Sequence, residues 1–255
     1  MKILVLLKQT FDTEEKITLE NGNINENGVE FIINPYDEYA VEEAVKLKEE
    51  LGAEVTLLTV GPSRTETAIR TALAMGVDKA VQIEHDGSEA DEYVISNIIA
   101  ATVKNQAFDL ILGGNTAVDS GAGQIAIRVA EILGIPHVAT ITKLSIDGKK
   151  ATVERDVEGD LETIEVELPF LATAQQGLNE PRYPSLPGIM KAKKKPIEHL
   201  NVNELDMSTT DLCAKTEVLD KYLPSKKQAG RILTGEMTNQ VSELVQLLRT
   251  NAKVL

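Results

Sequence analysis

Residues 113–124 form the segment of this chain best suited to bind a ligand. The segment contains Gly113, Gly114, Gly121 and Gly123, and it lies between an apolar run and an amphipathic run. Glycine backbone at the start of a helix offers N–H groups and the positive end of the helix dipole to a phosphate. The glycine spacing is neither that of a P-loop nor that of a dinucleotide fingerprint. The pattern therefore predicts either a nucleotide phosphate site or a flexible loop that lets a helix pack closely.

Other loops are predicted to reach the same place. Leu6 ends a first apolar run, Asn34 precedes a helix that begins with Pro35, and Val60 precedes the turn Gly61-Pro62. Ligands of open parallel sheets bind at the carboxyl ends of the strands, so these loops would form one pocket if they converge. Each signal is ambiguous alone, because asparagine is also a common helix N-cap and Gly-Pro is a common turn.

Residues that could form a catalytic or metal site are scattered along the chain. The three histidines, His85, His137 and His199, have no metal-ligand spacing, and we interpret each as a surface or packing residue. No Gly-x-Ser-x-Gly motif occurs, and Cys213 lies in a polar region without a recognisable motif. The Glu42-Glu43 and Glu49-Glu50 pairs are predicted to be solvated on a helix face. We expect no metal site and no catalytic residues.

The elements that must position these residues alternate in type. Apolar runs at residues 2–7, 54–60, 79–83 and 109–112 alternate with helical patterns at 35–51, 64–75, 90–104 and 124–133. Strands alternating with helices imply right-handed crossovers and helices on both faces of a parallel sheet. We predict an α/β fold with a doubly wound parallel sheet, in a nucleotide-binding domain spanning residues 1–175.

The pattern changes in the second half of the chain. Residues 139–145 and 151–155 flank the turn Asp147-Gly148 and predict a β-hairpin, which residues 162–168 and 170–174 extend. Residues 199–230 are mostly polar and irregular, and helical spacing returns only at 237–249. A long irregular segment is unusual in a compact domain. We predict that residues 176–255 form a partner-recognition loop and an extended C-terminal arm on another chain.

A proline-rich loop precedes a run of lysines. Leu186, Ile189 and Met190 are apolar and lie directly before residues 191–195, Lys-Ala-Lys-Lys-Lys. Prolines restrict the free loop, so inserting its leucine into a partner's pocket would lose little conformational entropy. The lysines could steer an acidic partner or simply be solvated. A loop folded onto the protein's own core fits the pattern equally well.

Composition limits the classes of partner. The 255 residues carry a formal net charge of −14, and such an acidic surface argues against general nucleic-acid binding. The single cysteine excludes an internal disulfide and suits a reducing compartment. The N-terminal apolar run is too short for a signal peptide, and no stretch is long enough for membrane insertion. We expect a cytoplasmic protein.

Several motifs resemble those of electron transfer flavoprotein β subunits. The most specific are residues 178–183, Leu-Asn-Glu-Pro-Arg-Tyr, and 186–195, Leu-Pro-Gly-Ile-Met-Lys-Ala-Lys-Lys-Lys. Further matches occur, in the family's order, at residues 34–37, 40–44, 60–62, 71–76, 156–163 and 228–230. The resemblance covers nearly the whole chain, and chance agreement with the proline-lysine signature is very rare.

The resemblance implies a domain of the adenine nucleotide alpha-hydrolase-like type with a buried AMP. It also implies a heterodimer with an α subunit that carries most of the FAD site. The positions that match the family's nucleotide contacts are Leu6, Asn34, Pro35, Tyr36, Asp37, Val60, Gly114, Asn115, Thr116, Asp119, Ser120, Gly121, Ala122, Gly123, Gln124 and Ile125. Tyr36 also matches an aromatic position near the partner's flavin ring.

The resemblance further implies a docking surface for acyl-CoA dehydrogenases. Leu186 matches the anchoring leucine, and Asp156 matches an acidic contact to the mobile flavin-bearing domain of the α subunit. The docking positions are Arg182, Tyr183, Pro184, Ser185, Leu186, Pro187, Gly188, Ile189, Met190 and Lys191. Gly188 replaces a common asparagine, which predicts a more flexible docking loop.

Three functions follow as expectations. In the first, the subunit catalyses no reaction itself and supports electron transport from the dehydrogenases of fatty acid beta-oxidation to a quinone-linked acceptor. In the second, a bifurcating subunit holds a second FAD in place of AMP and uses NADH as donor. Such members tend to carry an Asp-Gly-Asp-Thr loop, and its absence here favours AMP. In the third, the chain is a standalone adenine-nucleotide-binding protein.

Overall fold

The computed structural model describes residues 1–85, 90–227 and 229–254. Gln228, which belongs to the family motif at 228–230, lies outside them. Within the described residues the strands are β1 (Lys2–Leu6), β2 (Gln9–Phe11), β3 (Leu19–Glu20), β4 (Asn23–Ile24), β5 (Phe31–Ile33), β6 (Glu54–Gly61), β7 (Lys79–Glu84), β8 (Leu110–Gly114), β9 (His137–Asp147), β10 (Lys150–Val157), β11 (Asp160–Glu167), β12 (Phe170–Ala174) and β13 (Ile197–Asn201). The α-helices are α1 (Pro35–Leu51), α2 (Glu66–Met75), α3 (Glu92–Val103), α4 (Ile125–Leu133), α5 (Leu186–Ala192) and α6 (Met237–Leu247).

The described residues form a nine-stranded sheet with a parallel centre. Its strand order is β11-β10-β9-β12-β8-β1-β6-β7-β13, and only the pairs β9–β10 and β10–β11 are antiparallel. The chain starts in the middle at β1, builds outward through β6 and β7, and returns to the other side of β1 as β8. This reversal places a topological switch point between β1 and β8, where ligands of doubly wound folds bind.

Helices cover both faces of the sheet, as predicted. Ile3 and Val5 of β1 point into a core shared with α1 and α2, whereas Leu4 and Leu6 point into a second core shared with α3 and α4. Burial on both faces explains why β1 is a continuous apolar run without alternation. The α/β doubly wound fold class predicted from the sequence is therefore confirmed.

The predicted β-hairpin is also confirmed. β9 and β10 pair with Asp147 opposite Lys150, and Gly148 in the turn has a φ of +59°. A positive φ is unfavourable for most residues, so the turn requires the glycine. β11 extends the hairpin and begins at Asp160, earlier than the predicted residue 162.

The prediction of irregular chain from His199 onward is wrong for residues 199–201. They belong to β13, which pairs in parallel with β7 and closes one edge of the sheet. An edge strand has a neighbouring strand on one side only, and part of one of its faces is exposed. Its sequence therefore shows neither a long apolar run nor a strict alternation of apolar and polar residues. Its pairing partner lies more than a hundred residues earlier in the chain, where a local pattern holds no information about it.

The described chain divides into two compact units. The larger consists of Met1–Ile17 and Asn25–Leu219, and the smaller consists of Thr18–Ile24 and Asp220–Leu255. The smaller unit contains the β3–β4 pair and α6, whose Met237, Val241 and Leu244 are exposed. The predicted boundary after residue 175 remains a prediction. Among the described residues, every helix is too short or too polar to cross a membrane.

Candidate functional site

A cavity of about 380 Å³ opens at the carboxyl ends of β1, β6 and β8. Its volume lies within the range of small-molecule sites. The predicted cofactor residues that line it are Leu6, Asn34, Asp37, Val60, Gly114, Asn115, Thr116, Asp119, Ser120, Ala122, Gly123, Gln124 and Ile125. Pro35, Tyr36 and Gly121 are not among its lining residues. The three separate loops of the sequence prediction therefore do converge.

The cavity also contains charged residues that sequence reasoning missed. Lys8, Arg64 and Asp91 line it, and so does His85, which we had predicted to be a surface or packing residue. Lys8 follows β1 and Arg64 follows the turn after β6, so both stand where a parallel sheet binds ligands. The sequence signal that could have identified Lys8 and Arg64 is their position shortly after the ends of two strands. His137 and His199 are exposed, as predicted for surface residues.

Asp37 links the two strands at the switch point. Its carboxylate accepts the backbone N–H of Lys8 at 2.7 Å and that of Gly114 at 2.9 Å. Lys8 follows β1, Gly114 ends β8, and Asp37 lies in the first turn of α1. A single buried side chain therefore sets the spacing between two strand ends and a helix start. This spacing defines the floor of the cavity.

Burial raises the pKa of Asp37 to about 7. Loss of hydration disfavours the charged carboxylate and is the largest influence. The N–H groups of Lys8 and Gly114, the Asn34 side chain and the nearby Lys8 charge act in the opposite direction. The carboxyl group thus carries a proton in a substantial fraction of molecules near neutral pH.

Asn34 holds the glycine-rich loop rather than the helix it precedes. Its side-chain amide donates to the Thr116 carbonyl at 2.8 Å, and its side-chain oxygen accepts the Val118 N–H at 3.1 Å. Asn34 stands at the N-cap position of α1, but its side chain makes no capping hydrogen bond. Its backbone N–H donates to the Lys8 carbonyl at 2.9 Å. Asn34 thereby joins the loop to the end of β1.

The glycine-rich loop leads to a helix start that suits an anion. Lys8 forms a 2.8 Å ion pair with Asp119, which also accepts the Ser120 N–H at 2.7 Å. α4 begins at Ile125, and the Gln124 side chain does not cap it. The first N–H groups of an α-helix lack partners within the helix, and the helix dipole is positive there. Since Gln124 and Ile125 line the cavity, this end can bind a phosphate.

The second cation of the cavity is fixed by its neighbours. Arg64 donates to the Gln9 side-chain oxygen at 2.7 Å, and its guanidinium lies 3.9 Å from the centre of the Phe31 ring. An ion pair with Glu26 at 3.3 Å occupies its other side. These contacts hold Arg64 at the wall of the cavity.

The predicted docking residues surround the short helix α5. Tyr183, Leu186 and Met190 are 96%, 80% and 66% exposed, and Ile189 is partly exposed. Ser185 caps α5 by accepting the Gly188 N–H at 3.1 Å, and Pro187 lies in the first turn. Pro184 is partly exposed and Lys191 is exposed. Leu186, Ile189 and Met190 therefore face solvent, whereas Ala192 of the same helix is buried in the core.

Gly188 has a packing role. A Cβ at this position would lie 2.5 Å from the Ala74 carbonyl oxygen, so only glycine allows this approach of α5 to α2. From the sequence, the replacement of the family's common asparagine by Gly188 predicts a more flexible loop. The contact with α2 gives a different reason for the glycine, because it brings the two helices together.

The prediction that the acidic pairs of α1 are solvated is wrong for two of the four residues, Glu42 and Glu43. Glu42 and Glu43 are buried; Glu42 pairs with Arg182 at 2.9 Å, and Glu43 accepts the Asn179 amide at 2.9 Å. Glu49 is exposed but pairs with Arg182 at 2.6 Å. Arg182, whose contact with a partner remains a prediction, makes both of these internal ion pairs. The partners come from a segment far along the chain, which the helix pattern could not reveal.

The lysine run is divided between two roles. Lys195 donates to the carbonyls of Leu73 at 2.9 Å and of Val77, and burial lowers its pKa. It therefore satisfies backbone groups at the end of α2. The other lysines of the run, Lys191, Lys193 and Lys194, are exposed.

The remaining predicted positions lie away from the cavity. Asp156 is exposed at the β10–β11 turn, where it accepts the Gly159 N–H at 3.0 Å. Cys213 is a free, exposed thiol. Within the described residues, no cluster of histidine, cysteine, aspartate and glutamate has the geometry to hold a metal ion.

Comparison with known proteins identifies relatives along the whole chain. The sequence model of the electron transfer flavoprotein domain matches residues 21–205. The chain is 57% identical to the electron transfer flavoprotein subunit beta of Bacillus subtilis, over 100% of both sequences. It is 41% identical to the subunit of the same name from Syntrophomonas wolfei, over 100% of this chain and 98% of the relative. Identity to the subunit from Mus musculus is 36%, over 90% of this chain and 91% of the relative.

Gly114→Ala tests the contact between β8 and Asp37. The new Cβ would lie 2.2 Å from the Asp37 carboxylate and 2.8 Å from its backbone nitrogen. We expect the free energy of unfolding to fall by about 3 kcal/mol, measured by denaturant unfolding. Gly113→Ala is the matched control, because its Cβ would meet neighbours only at 3.5 Å. Equal effects of the two substitutions would refute the close approach.

Asp37→Asn tests the ionisation of the buried carboxyl. The pKa of Asp37 is about 7 in the folded protein against an ordinary value of 3.8, so between these values the folded state binds more protons than the unfolded chain. The free energy of unfolding should therefore decrease as pH rises from 4 to 7, by at most about 1.4 kcal/mol per pH unit. Denaturant unfolding at several pH values should show a shallower decrease in the variant. Parallel profiles would contradict the assignment.

Proposed function

This chain belongs to the electron transfer flavoprotein family, as one of its β subunits, and we propose that it pairs with an α subunit to carry electrons from acyl-CoA dehydrogenases to a quinone-linked acceptor. FAD, held mainly by the α subunit, supplies the redox chemistry by accepting and releasing electrons singly. In this proposal the β subunit supports the flavin and selects partners, and it has no substrate reaction of its own.

We place a structural AMP in the cavity at the switch point. The observation that carries this assignment is the uncapped start of α4, which meets the glycine-rich loop inside a cavity of about 380 Å³. Backbone N–H groups of the loop and of the helix start would bind the phosphate, and Lys8 would add a charge. Leu6, Val60 and Ile125 supply apolar wall for the rest of the nucleotide.

A second FAD in place of AMP is the competing assignment. It would use the same helix start for its diphosphate, with NADH as electron donor. The absence of an Asp-Gly-Asp-Thr loop between residues 113 and 124 favours AMP.

Three surfaces are proposed to meet protein partners. Residues 176–255 are proposed as the partner-recognition region, with the C-terminal arm on the α subunit and the exposed apolar residues of α6 as contacts. Asp156, exposed at its turn, is proposed to contact the flavin-bearing domain. α5 is proposed as the docking site for dehydrogenases, with Leu186 as its anchor and the exposed lysines as steering charges.

The heterodimer is proposed to act in the cytoplasm, which suits a free exposed Cys213.

Counting the bound nucleotides tests the nucleotide assignment. The chain is purified together with its α subunit, the complex is denatured, and the released nucleotides are identified and quantified by chromatography. We expect one FAD and one AMP per heterodimer. Two FAD without AMP would replace the proposal by bifurcation, whereas a stable monomer that binds adenine nucleotide without an α subunit would reject the carrier function.

Leu186→Ala tests the docking assignment. The side chain is 80% exposed, so its loss should leave the fold and the flavin content unchanged. Removing a central anchor of an interface typically costs 2 kcal/mol or more, so electron transfer from an acyl-CoA dehydrogenase should slow at least ~30-fold at limiting carrier concentration. Ile132→Ala, at a 48% exposed residue of α4, is the matched control and should have little effect. A loss of flavin in Leu186→Ala would instead assign the segment a structural role.

A further inference from the structure

Arg182 connects the chain before α5 to helix α1. Its Nε and Nη2 donate to both carboxylate oxygens of Glu42, at 2.9 and 3.0 Å. Its Nη1 and Nη2 donate to both oxygens of Glu49, at 2.6 and 3.0 Å. Each carboxylate thus receives a two-bond contact from the planar guanidinium. This geometry is far more directional than a single ion pair.

Glu42 is the more buried half of this connection. Its side chain is 6% exposed, and it accepts the backbone N–H of Arg182 at 3.1 Å as well as the guanidinium. The contact therefore fixes the main chain at residue 182, not only the side chain. Two neighbouring carboxylates also raise the pKa of Arg182, so its charge is permanent. Asn179 adds a nearby anchor by donating to the Tyr39 carbonyl at 3.0 Å.

The other end of the docking segment is held on α2. Arg70 donates to the carbonyls of Ala192, the last residue of α5, at 2.8 Å and of Lys195 at 3.0 Å. Gly188 packs against the Ala74 carbonyl in the middle. The segment is therefore fixed before, within and after α5, while Leu186 and Met190 stay exposed.

We propose that Glu42, assisted by Glu49, is a positioning residue that holds Arg182 and so presents the α5 docking surface in a binding-ready conformation. The inference rests on the proposed docking of dehydrogenases at α5. A surface ordered before binding loses less conformational entropy on association, so the same apolar contacts give tighter binding. Glu42 itself is buried. Its effect on electron transfer must therefore pass through Arg182.

The test compares four substitutions, the fourth being Arg182→Lys, in the complex with the α subunit. Glu42→Gln keeps the size of the side chain and removes its charge, and Glu49→Gln does the same at the exposed partner. Glu50→Gln is the matched control, because Glu50 is an exposed residue next to Glu49 on α1. The measurements are the reduction rate of the bound flavin by an acyl-CoA dehydrogenase and the hydrogen exchange of the amides at residues 183–192.

If Glu42 is a positioning residue, its substitution should change KM and amide hydrogen exchange but not kcat. Glu42→Gln should raise the KM for the carrier ~10-fold and leave kcat unchanged, because binding and not electron transfer is affected. The amides of residues 183–192 should exchange ~10-fold faster, since their segment has lost an anchor. Glu49→Gln should raise KM ~3-fold, as expected for a more exposed pair. Arg182→Lys should resemble Glu42→Gln, because lysine cannot form the two-bond contacts.

The outcomes separate this inference from the docking proposal. If Leu186→Ala slows electron transfer but both Glu42→Gln and Glu49→Gln leave KM and exchange unchanged, positioning by α1 is wrong and docking stands. If Leu186→Ala has no effect, docking at α5 is wrong and the inference falls with it. If Glu42→Gln prevents folding, Glu49→Gln decides, because its side chain is exposed. A fall in kcat with unchanged KM would also overturn the proposal.

Discussion

The Asp37 carboxylate, shared by the N–H groups of Lys8 and Gly114, is the interaction on which the site depends. β1 and β8 diverge at the switch point, and backbone groups beyond their last ladder bonds need other partners. A buried carboxylate accepts hydrogen bonds from both groups at once, and its burial raises its pKa. The glycine at residue 114 follows from the same contact, since any side chain would collide with Asp37. The cavity has its shape because one acidic side chain accepts the N–H groups at both strand ends, where water would otherwise bind.

Helix α1 joins the two functional regions of the larger unit. Its first turn carries Asp37 and follows Asn34, which holds the glycine-rich loop. Its later turns carry Glu42 and Glu49, which hold Arg182 before the proposed docking segment. Because a helix is stiff over this length, the cavity wall and the docking segment share one rigid support. In a chain with a net charge of −14, acidic residues on a helix are readily interpreted as merely solvated. These acidic residues of α1 instead have defined structural roles.

Order and exposure combine in the docking segment. Leu186 and Met190 are large apolar residues in water, an arrangement that a monomer does not need for its own stability. The segment nevertheless has capped, packed and ion-paired anchors on α1 and α2. These properties agree with the proposed role of the segment as a docking site.

The sequence by itself determined the features that depend on local pattern: the alternating strands and helices, the doubly wound sheet and the hairpin turn at Gly148. Periodicity, turn chemistry and the right-handed crossover are local or general rules, so they can be applied without coordinates. Only the tertiary structure decided the edge strand β13, the burial of Glu42 and Glu43, the use of Arg182 and the contact that requires Gly188. Each of these depends on a partner far along the chain, and the energy of a buried charge or a close backbone approach is set by that partner, which no local pattern contains.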